Sequence, residues 1–328
     1  MAGTKIDVHA HISPDFLTQA MTEAGHAQPD GMPSIPPWSE ELQLEFMASA
    51  DIKKSYISVS SPGVTFQSDS AKVKSLARKC NDYVADLQQR NPGKFGSFAA
   101  LPIPDIPACL EEVAYALDTL KADGFTMLTS YNGVYLGDKV LDPLFKELNR
   151  RKATVFLHPT SPCPCYDGKN HRFKPLDLPN PVMEFFFDAA RAVVNLIVSG
   201  TVSANPDITF IIPHCGGVLP PIVDRFTFFS SKILFSASGP QVTAEEIQDI
   251  LRNRFYYDLA GFSMGNQIHG LLRFTGPDRL MYGTDYPYTP AEGIAFQAEE
   301  MDAEAKKLWS AEEIKAVYSG NAEKHFSK

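Results

Sequence analysis

Cysteines and long apolar runs are scarce in this chain. Five of its 328 residues are cysteine, and its first residues do not form a secretory signal pattern. Such sparse cysteine is typical of the reducing compartment of the cell. The best approach to a membrane span, residues 189–200, contains Arg191 and Asn195, whereas a transmembrane helix needs about 20 apolar residues. We therefore expect a soluble cytoplasmic protein with no membrane partner.

Basic residues are fewer than acidic ones, and a glycine-rich phosphate-binding turn is missing after the first predicted strand. The 30 lysines and arginines are outnumbered by 39 acidic residues, and the formal net charge is −9. Non-specific nucleic-acid binding requires a basic surface, so we expect no nucleic-acid partner. No Gly-x-Gly-x-x-Gly turn follows the first predicted strand, which argues against a dinucleotide-binding fold.

The chain does contain enough hydrophobic residues for a large core, in alternating short strands and helices. Hydrophobic residues make up 44% and charged residues 21% of the sequence, as in ordinary globular proteins. One predicted strand ends at residues 9–11, and the others cover residues 55–60, 95–101, 124–128, 153–157, 208–212, 255–259 and 279–282. Helices are predicted from about residue 39, over 68–91, 108–122, 142–151 and 182–199, from about 219, and over 243–254, 264–275, 291–301 and 310–318.

This alternation predicts the fold class. A chain of this length can form two ordinary domains or one large barrel. Alternating strand–helix units imply a parallel sheet, and eight of them imply a closed barrel. We therefore expect an α/β protein with a distorted (β/α)8 TIM barrel, formed by a single domain over residues 1–328. The proline-rich residues 159–181 predict a long inserted loop after the fifth strand, in which His171 is a weaker site candidate.

The first motif with chemical potential is His9-Ala10-His11, at the end of the first predicted strand. Side chains alternate between faces along a strand, so the two imidazoles point the same way and can converge on one metal ion. A pair of exposed or capping histidines near the terminus is the alternative. The motif alone leaves both interpretations open, because short motifs match by chance.

Further metal-binding side chains follow other predicted strands. His158 ends the fifth strand, His214 follows the sixth, and Asp285 follows the eighth. The carboxyl ends of barrel strands all open onto one face, where active sites lie. His9, His11, His158 and Asp285 would supply three nitrogens and one oxygen, which suits an open catalytic metal site. Taken singly, each residue is also explained as a polar group that caps a strand end.

Four motifs give a family resemblance that extends over nearly the whole chain. They are Asp7-Val8-His9-Ala10-His11, Phe156-Leu157-His158-Pro159, Ile212-Pro213-His214-Cys215-Gly216-Gly217 and Tyr282-Gly283-Thr284-Asp285-Tyr286-Pro287-Tyr288. The last two are more diagnostic than His-x-His. The chain resembles the amidohydrolase superfamily of metal-dependent barrels. Within it, the chain is similar to the branch of aminocarboxymuconate-semialdehyde and γ-resorcylate decarboxylases, and most of all to fungal 6-methylsalicylate decarboxylases.

The resemblance implies roles for the matching residues. His9, His11, His158 and Asp285 would hold one divalent metal ion per chain, with zinc expected first and manganese as the alternative. His214 would lie beside the metal-bound water or substrate as an acid/base, and Asp285 would share in proton transfer.

The resemblance also implies a homodimer or a higher homo-oligomer. In such an assembly Arg225, eleven residues after His214, would reach the substrate of the neighbouring subunit. A helix-surface arginine in a salt bridge is an equally good interpretation of Arg225.

Two departures from the family pattern bear on the expected number of metal ions and on the expected substrate. The fourth strand, residues 125–128, lacks the lysine or glutamate with which many members bridge two metals, so one metal is expected. The muconate enzyme carries arginines shortly after the tryptophan that corresponds to Trp38, whereas residues 41–46 of this chain contain none. Without that cationic clamp a dicarboxylate is poorly neutralised. A monocarboxylic aromatic acid therefore fits better.

The ring of such a substrate needs apolar walls. The phenylalanines at 185–187, Phe262 and Trp38 are candidates near the rim, although most phenylalanines at such spacings belong to the core. Phe262 is slightly favoured because it directly follows a strand end. Trp38, Phe262 and Arg225 are the predicted substrate-binding residues.

Three functions follow. The first is a metal-dependent decarboxylase that converts 6-methylsalicylate, or a close hydroxybenzoate, to m-cresol and CO2. The second is a metal-dependent hydrolase of a lactone or amide, because a metal-activated water at the same rim would serve that reaction. The third is a catalytically silent barrel used for binding. Metal content distinguishes the third from the others, and product analysis distinguishes the first from the second.

Overall fold

The centre of the protein is a ring of parallel strands. The structure is a computed structural model that describes residues 4–67, 69–162, 178–233 and 242–327. Eight parallel strands neighbour one another in chain order. They are β1 (Lys5–Ile12), β2 (Ile52–Val59), β3 (Phe95–Ala100), β4 (Gly124–Leu128), β5 (Thr154–His158), β6 (Thr209–Ile212), β7 (Phe255–Asp258) and β8 (Leu280–Met281). The prediction of an eight-stranded α/β barrel is confirmed.

The barrel closes between β8 and β1 through an irregular segment. The backbone N–H of Val8 donates to the carbonyl of Tyr282 at 3.0 Å, and the N–H of Asp285 donates to the carbonyl of His9 at 2.7 Å. Because β8 itself has two residues, these bonds replace a regular ladder and the barrel is distorted. They also hold Asp285 beside the end of β1.

Asp7 fixes the same junction from inside the protein. Its Oδ1 accepts hydrogen bonds from the backbone N–H groups of His9 (3.0 Å) and Thr284 (3.1 Å), and its Oδ2 accepts from the Thr284 hydroxyl at 2.6 Å. The register of β1 against β2 shifts between Asp7 and Ala10, as at a β-bulge. The bulge and the buried carboxyl together set the path of the two histidines that follow.

Helices surround the strands. Within the described ranges they are α1 (Asp15–Glu23), α2 (Glu40–Ser49), α3 (Ser70–Arg90), α4 (Ile106–Asp118), α5 (Asp142–Arg150), α6 (Glu184–Val198), α7 (Thr201–Ala204), α8 (Leu219–Phe228), α9 (Ala244–Asp249), α10 (Gln267–Leu271), α11 (Ala291–Leu308), α12 (Ala311–Lys315) and α13 (Asn321–Phe326). None of these helices is long and apolar enough to cross a membrane.

Most helices begin where the sequence predicts them. Ser39 caps α2, because its hydroxyl accepts from the N–H of Leu42 at 3.2 Å. Two expectations are corrected. Helix α1 was not foreseen, and the helix expected over 264–275 covers Gln267–Leu271. The glycines at 265, 270 and 276 lower the helix propensity of that segment.

The long inserted loop expected after β5 remains a prediction, because its central residues are not described. Residues 163–177, which include His171, lie outside the described residues. The chain is described again from Leu178, ahead of α6.

Large apolar side chains fill the interior of the barrel below the strand ends. The cluster comprises Ile6, Val8, Tyr56, Phe98, Phe156, Ile211, Met281 and Ala322. At its lower end Phe326 of α13 stacks on Tyr56, with ring centroids 4.0 Å apart. At its upper end the ring of Phe156 packs edge-to-face against the ring of His9, with centroids 4.8 Å apart. The interior is therefore a packed core, and the polar residues lie at the carboxyl end of the strands.

Candidate metal centre

The candidate site lies where β1, β5, β6, β7 and β8 end. His9 and His11 are in β1, His158 is the last residue of β5, and Asp285 follows β8. All three imidazoles are buried. The parallel strands bring these residues together although they are far apart in the sequence.

Three imidazoles and one carboxylate converge there. His9, His11, His158 and Asp285 each offer a ligand atom, and these atoms all lie within 4.8 Å of one another. Nε2 of His11 lies 3.0 Å from Oδ1 of Asp285, and Nε2 of His9 lies 3.5 Å from the same oxygen. Three nitrogens and one oxygen are a donor set typical of a catalytic metal site.

A buried nitrogen without a hydrogen bond indicates where a cation would fit. Nε2 of His9 is buried and has no hydrogen-bond partner in the described part of the chain, because its 3.5 Å separation from Asp285 does not make one. A buried polar atom left unpaired is costly. A metal ion would satisfy it, so the residues present fit the expected group.

Each of the three imidazoles is held through its other nitrogen. Nδ1 of His9 lies 3.0 Å from Oδ2 of Asp258, Nδ1 of His11 lies 3.0 Å from the hydroxyl of Ser58, and Nδ1 of His158 lies 2.7 Å from the carbonyl of Pro159. When Nδ1 donates to such a partner, the lone pair of Nε2 faces the cluster. This is the usual support of metal-binding histidines.

The electrostatics of the cluster also suit a cation. Burial by itself would raise the pKa of Asp285, but the contact with His11 and the positive charge of the nearby His9 hold it well below its usual range. Burial, with neighbouring His11 and His9, holds the pKa of His158 well below its usual value. Burial opposes charge on His9, yet Asp258 and Asp285 raise its pKa to about 10. A divalent cation would replace the proton that these two carboxylates favour on His9.

His214 lies beside the cluster in an unusual backbone conformation. Its φ is +51° and that of Cys215 is +56°, a left-handed region that non-glycine residues rarely adopt. The His214 ring lies 4.8 Å from that of His9, and its Nδ1 lies 3.3 Å from the carbonyl of Ala260. Burial lowers the pKa of His214, which favours a neutral imidazole.

The glycines after His214 are required by space. At Gly217 the φ is +60°, and a Cβ atom would lie 2.4 Å from the carbonyl oxygen of Phe186. The side-chain amide of Gln267 donates to the carbonyls of His214 and Gly217 at 2.6 Å and 2.7 Å. The His-x-Gly-Gly motif is therefore a tight turn that brings His214 to the cluster.

Aromatic rings flank the cluster on two sides. Phe185 lies 6.2 Å from His158, Phe186 lies 5.5 Å from His214, and Tyr288 lies 5.6 Å from His11, all measured between ring centroids. Phe187, by contrast, is partly exposed. Of the three consecutive phenylalanines that the sequence offers as wall candidates, the structure places two beside the cluster.

Trp38 is buried among other groups. Its Nε1 donates to Oε1 of Gln43 at 2.9 Å, and its ring packs against Tyr83 at 6.1 Å. Its predicted contact with substrate remains a prediction.

Phe262 and Arg225 lie at the surface. The Phe262 side chain is 61% exposed, and its ring lies 6.1 Å from that of Phe296. Arg225 is exposed on α8, where its guanidinium lies 4.6 Å from the ring of Phe229. The structure does not bring these two side chains to the candidate metal cluster within one chain.

Sequence reasoning missed Asp258 and Ser58 as supports of the histidines. Asp258 is the last residue of β7 and Ser58 is the next-to-last residue of β2. The available signal was their position, because a polar residue at the carboxyl end of a barrel strand indicates function. Their partners depend on strand register, which the sequence pattern does not supply.

Relatives of known description match almost the whole chain. A sequence model of the amidohydrolase family matches residues 6–328. A decarboxylase of Penicillium terrestre is 40% identical over 301 residues, which cover 88% of this chain and 86% of the relative. The 6-methylsalicylic acid decarboxylase of Penicillium expansum is 32% identical over 311 residues, which cover 92% of each chain.

Solved structures share the fold. A crystal structure described as an amidohydrolase has a TM-score of 0.88 and 32% identity, and the match covers 99% of this chain and 100% of that one. A dihydroxybenzoic acid decarboxylase from Polaromonas sp. JS666, with bound manganese and the inhibitor 2-nitroresorcinol, has a TM-score of 0.80 and 24% identity over 100% and 97% of the two chains. The chain therefore belongs to the amidohydrolase family, in the group that includes the fungal 6-methylsalicylic acid decarboxylases.

Proposed function

We propose that this protein is a metal-dependent, non-oxidative decarboxylase of a hydroxybenzoate, and that its substrate is 6-methylsalicylate, which it converts to m-cresol and CO2. The observation that carries the proposal is the buried cluster of three imidazoles and one carboxylate at the mouth of the barrel. Fungal relatives at 32–40% identity are named decarboxylases, and two of them 6-methylsalicylic acid decarboxylases, which supports the reaction and the substrate.

The residues that would hold the metal are His9, His11, His158 and Asp285. When bound, one divalent ion supplies positive charge that neutralises and orients the carboxylate and the ortho oxygen of the substrate. We propose Zn²⁺ because it suits three imidazoles and a carboxylate. Mn²⁺, which the Polaromonas enzyme binds, is the alternative. Strand β4 offers no lysine or carboxylate, which supports one ion per chain.

Proton transfer would fall to Asp285 and His214. Loss of CO2 directly from the ring would leave an aryl carbanion, so the carboxyl-bearing ring carbon is protonated first. The bond to the carboxylate then breaks, its electron pair returns to the ring, and CO2 leaves with net consumption of one proton. We assign delivery of the proton to Asp285, which takes it from His214. His214 in turn takes its proton from solvent at Nε2, the nitrogen left as an acceptor when Nδ1 donates to the carbonyl of Ala260.

The substrate ring would lie between aromatic walls. Three rings lie close enough to the histidines to form these walls, those of Phe185, Phe186 and Tyr288. We keep Trp38 and Phe262 as substrate contacts of lower rank, since the first is packed in the core and the second is exposed. Replacing Phe186 by alanine should raise KM for 6-methylsalicylate more than replacing Phe262 does.

We also propose a homodimer in which Arg225 serves the neighbouring subunit. Ile222 and Phe228 of α8 are exposed, as are Val182 and Phe187 near the start of α6, and exposed apolar groups so placed favour an interface. Light scattering of the purified protein should give twice the mass of one chain. A monomer that decarboxylates 6-methylsalicylate at full rate would contradict the role of Arg225.

The domain organisation and the location of the protein complete the proposal. We propose a single domain over residues 1–328, which should unfold in one transition, and a cytoplasmic location, which the low cysteine count supports.

The direct test is product analysis. The metal-loaded protein is incubated anaerobically with 6-methylsalicylate, with salicylate and 2,6-dihydroxybenzoate as comparison substrates, and products are identified by liquid chromatography with mass spectrometry. We expect m-cresol and CO2 in equal amounts. Turnover of lactones or amides without decarboxylation would indicate the hydrolase instead. Purified protein that binds less than about half an equivalent of divalent metal would favour the silent barrel.

A further inference from the structure

Asp258 connects two parts of the candidate site that come from different strands. It is the last residue of β7 and is fully buried. Its Oδ2 lies 3.0 Å from Nδ1 of His9, and its Oδ1 accepts hydrogen bonds from the backbone N–H of His214 at 3.1 Å and of Ala260 at 3.0 Å. One carboxylate thus contacts a candidate metal ligand and the turn that carries the candidate acid/base.

The three supports of the metal-binding histidines are not equivalent. His11 is held by the hydroxyl of Ser58 and His158 by the carbonyl of Pro159, both neutral groups. His9 alone among these three is held by a carboxylate, and its Nε2 is the buried nitrogen that lacks a hydrogen bond. A hydrogen bond to an ionised acceptor is about twice as strong as one between neutral groups. The orientation of His9 therefore depends most on its support.

Asp258, Ala260 and His214 are hydrogen-bonded to one another in a ring. Ala260 donates its N–H to Asp258, while its carbonyl oxygen lies 3.3 Å from Nδ1 of His214. The backbone N–H of His214 also donates a hydrogen bond to Asp258. When both Nδ1 atoms donate, both Nε2 atoms are left as acceptors, and the two rings lie 4.8 Å apart.

We propose that Asp258 is a positioning residue that fixes the tautomer of His9 for metal binding and, through the same carboxylate, the turn of His214. This inference rests on the proposed metal site and not on the identity of the substrate. Asp258 is not proposed to bind the ion, because the oxygen that approaches His9 lies at hydrogen-bond distance from its Nδ1.

Asp258→Asn separates this role from simple packing. The amide has nearly the same shape as the carboxylate. Its oxygen can still accept from the N–H groups of His214 and Ala260, which turns its NH2 group towards Nδ1 of His9. Two donors cannot face each other, so His9 would have to place its proton on Nε2. That atom could then no longer bind a metal.

The matched control is Asp188→Asn. Asp188 is also fully buried and accepts hydrogen bonds from the hydroxyls of Thr129 and Tyr135 and from the backbone of Thr160, none of which is a candidate ligand. Zinc affinity of both full-length variants is measured by competition with a chromophoric chelator. We expect Asp258→Asn to bind zinc about 10–100-fold more weakly than the wild type, and Asp188→Asn to bind it as the wild type does. Wild-type affinity in a folded Asp258→Asn, or an equal loss in both variants, would overturn the proposal.

A second measurement requires no variant. Long-range proton–nitrogen NMR of the zinc-loaded wild type, with nitrogen-15 in its histidines, should show His9 with its proton on Nδ1 and slow exchange of that proton with water. A proton on Nε2 of His9, or rapid exchange at Nδ1, would contradict the role of Asp258 even if Asp258→Asn does not fold. Both measurements are made without substrate, so failure of the 6-methylsalicylate assay would leave this inference standing.

Discussion

At the scale of single residues, His158 and His214 are neighbours in the site with different expected roles. Both are buried, and both have a lowered pKa chiefly because of burial. His158 belongs to the group of four residues that could hold a metal, whereas His214 belongs to a second such group, with His9 and Asp258, and only His9 is common to both. The structure therefore allows metal binding and acid/base support to be tested separately.

Substitution of each histidine should give a distinct phenotype. We expect His158→Ala to lose bound metal and decarboxylase activity together. We expect His214→Asn to keep its metal while the rate falls about 10²–10⁴-fold, the usual contribution of a general acid or base. Asparagine is chosen at 214 because it tolerates the φ of +51° better than alanine. Metal analysis by mass spectrometry, with kcat for 6-methylsalicylate, checks both; activity of His158→Ala without metal would overturn the assignment.

Gly217 offers a test of the turn that carries His214. A Cβ atom at this position would collide with the carbonyl of Phe186, in a conformation that also disfavours side chains. We expect Gly217→Ala to lower the free energy of unfolding by about 1–3 kcal/mol. Gly265→Ala is the control, because its added Cβ would meet its nearest atom at 3.8 Å. Equal stability of the two variants in urea would show that the turn adjusts freely.

At the scale of elements, the strands divide the barrel into a core end and a site end. Phe326 of α13 stacks on Tyr56 beneath the core, while the histidines extend above it from the other ends of the strands. The first and last parts of the chain meet in this arrangement, because β1 is bonded to the segment after β8. Stability and metal binding should therefore respond to different elements.

Phe326→Ala should affect stability without affecting the metal centre. Removal of a partly buried ring that stacks on Tyr56 and meets the ring of His325 edge-to-face should lower the free energy of unfolding by about 1–3 kcal/mol. Zinc affinity should stay at the wild-type value, because α13 lies at the opposite end of the barrel. Urea unfolding and chelator competition measure the two quantities, and a parallel loss of zinc affinity would contradict the separation.

The elements also show where sequence patterns succeed. The strands were predictable because buried apolar runs with polar ends repeat along the chain, and the capping serine of α2 was predictable from Ser39 followed by two glutamates. Helix α10 (Gln267–Leu271) is shorter than the predicted 264–275, because Gly265 and Gly270 lower the helix propensity of this segment. The closure of the barrel by the segment after β8 has no local pattern, since it depends on bonds between residues at opposite ends of the chain.

At the scale of the whole molecule, the candidate ligands join the two ends of the chain. Two come from β1, one from β5 and one from the segment after β8. A bound ion would therefore restrain the junction at which the barrel closes. Because the site exists in the folded state and not in the unfolded chain, metal binding must stabilise folding.

Metal removal should consequently lower the Tm. At a free Zn²⁺ concentration 100 times Kd, the stabilisation is about 2.7 kcal/mol, which is a shift of several degrees for a chain of this size. Scanning calorimetry of metal-free and zinc-loaded protein measures it, with His158→Ala as the control that should show no shift. A zinc-dependent rise of equal size in that variant would mean that the ion binds elsewhere.

The sequence by itself determined the fold class, the order of the strands and the positions of His9, His11, His158, His214 and Asp285 at strand ends, because hydrophobic periodicity and strand ends are local properties of a chain. The tertiary structure decided the contacts between them. Asp258 meets His9 across 249 residues of sequence, and the side chains of Phe262 and Arg225 are exposed at the surface. Such contacts depend on barrel closure and on the bulge in β1. The register between strands that are distant in the chain cannot be read from local sequence patterns.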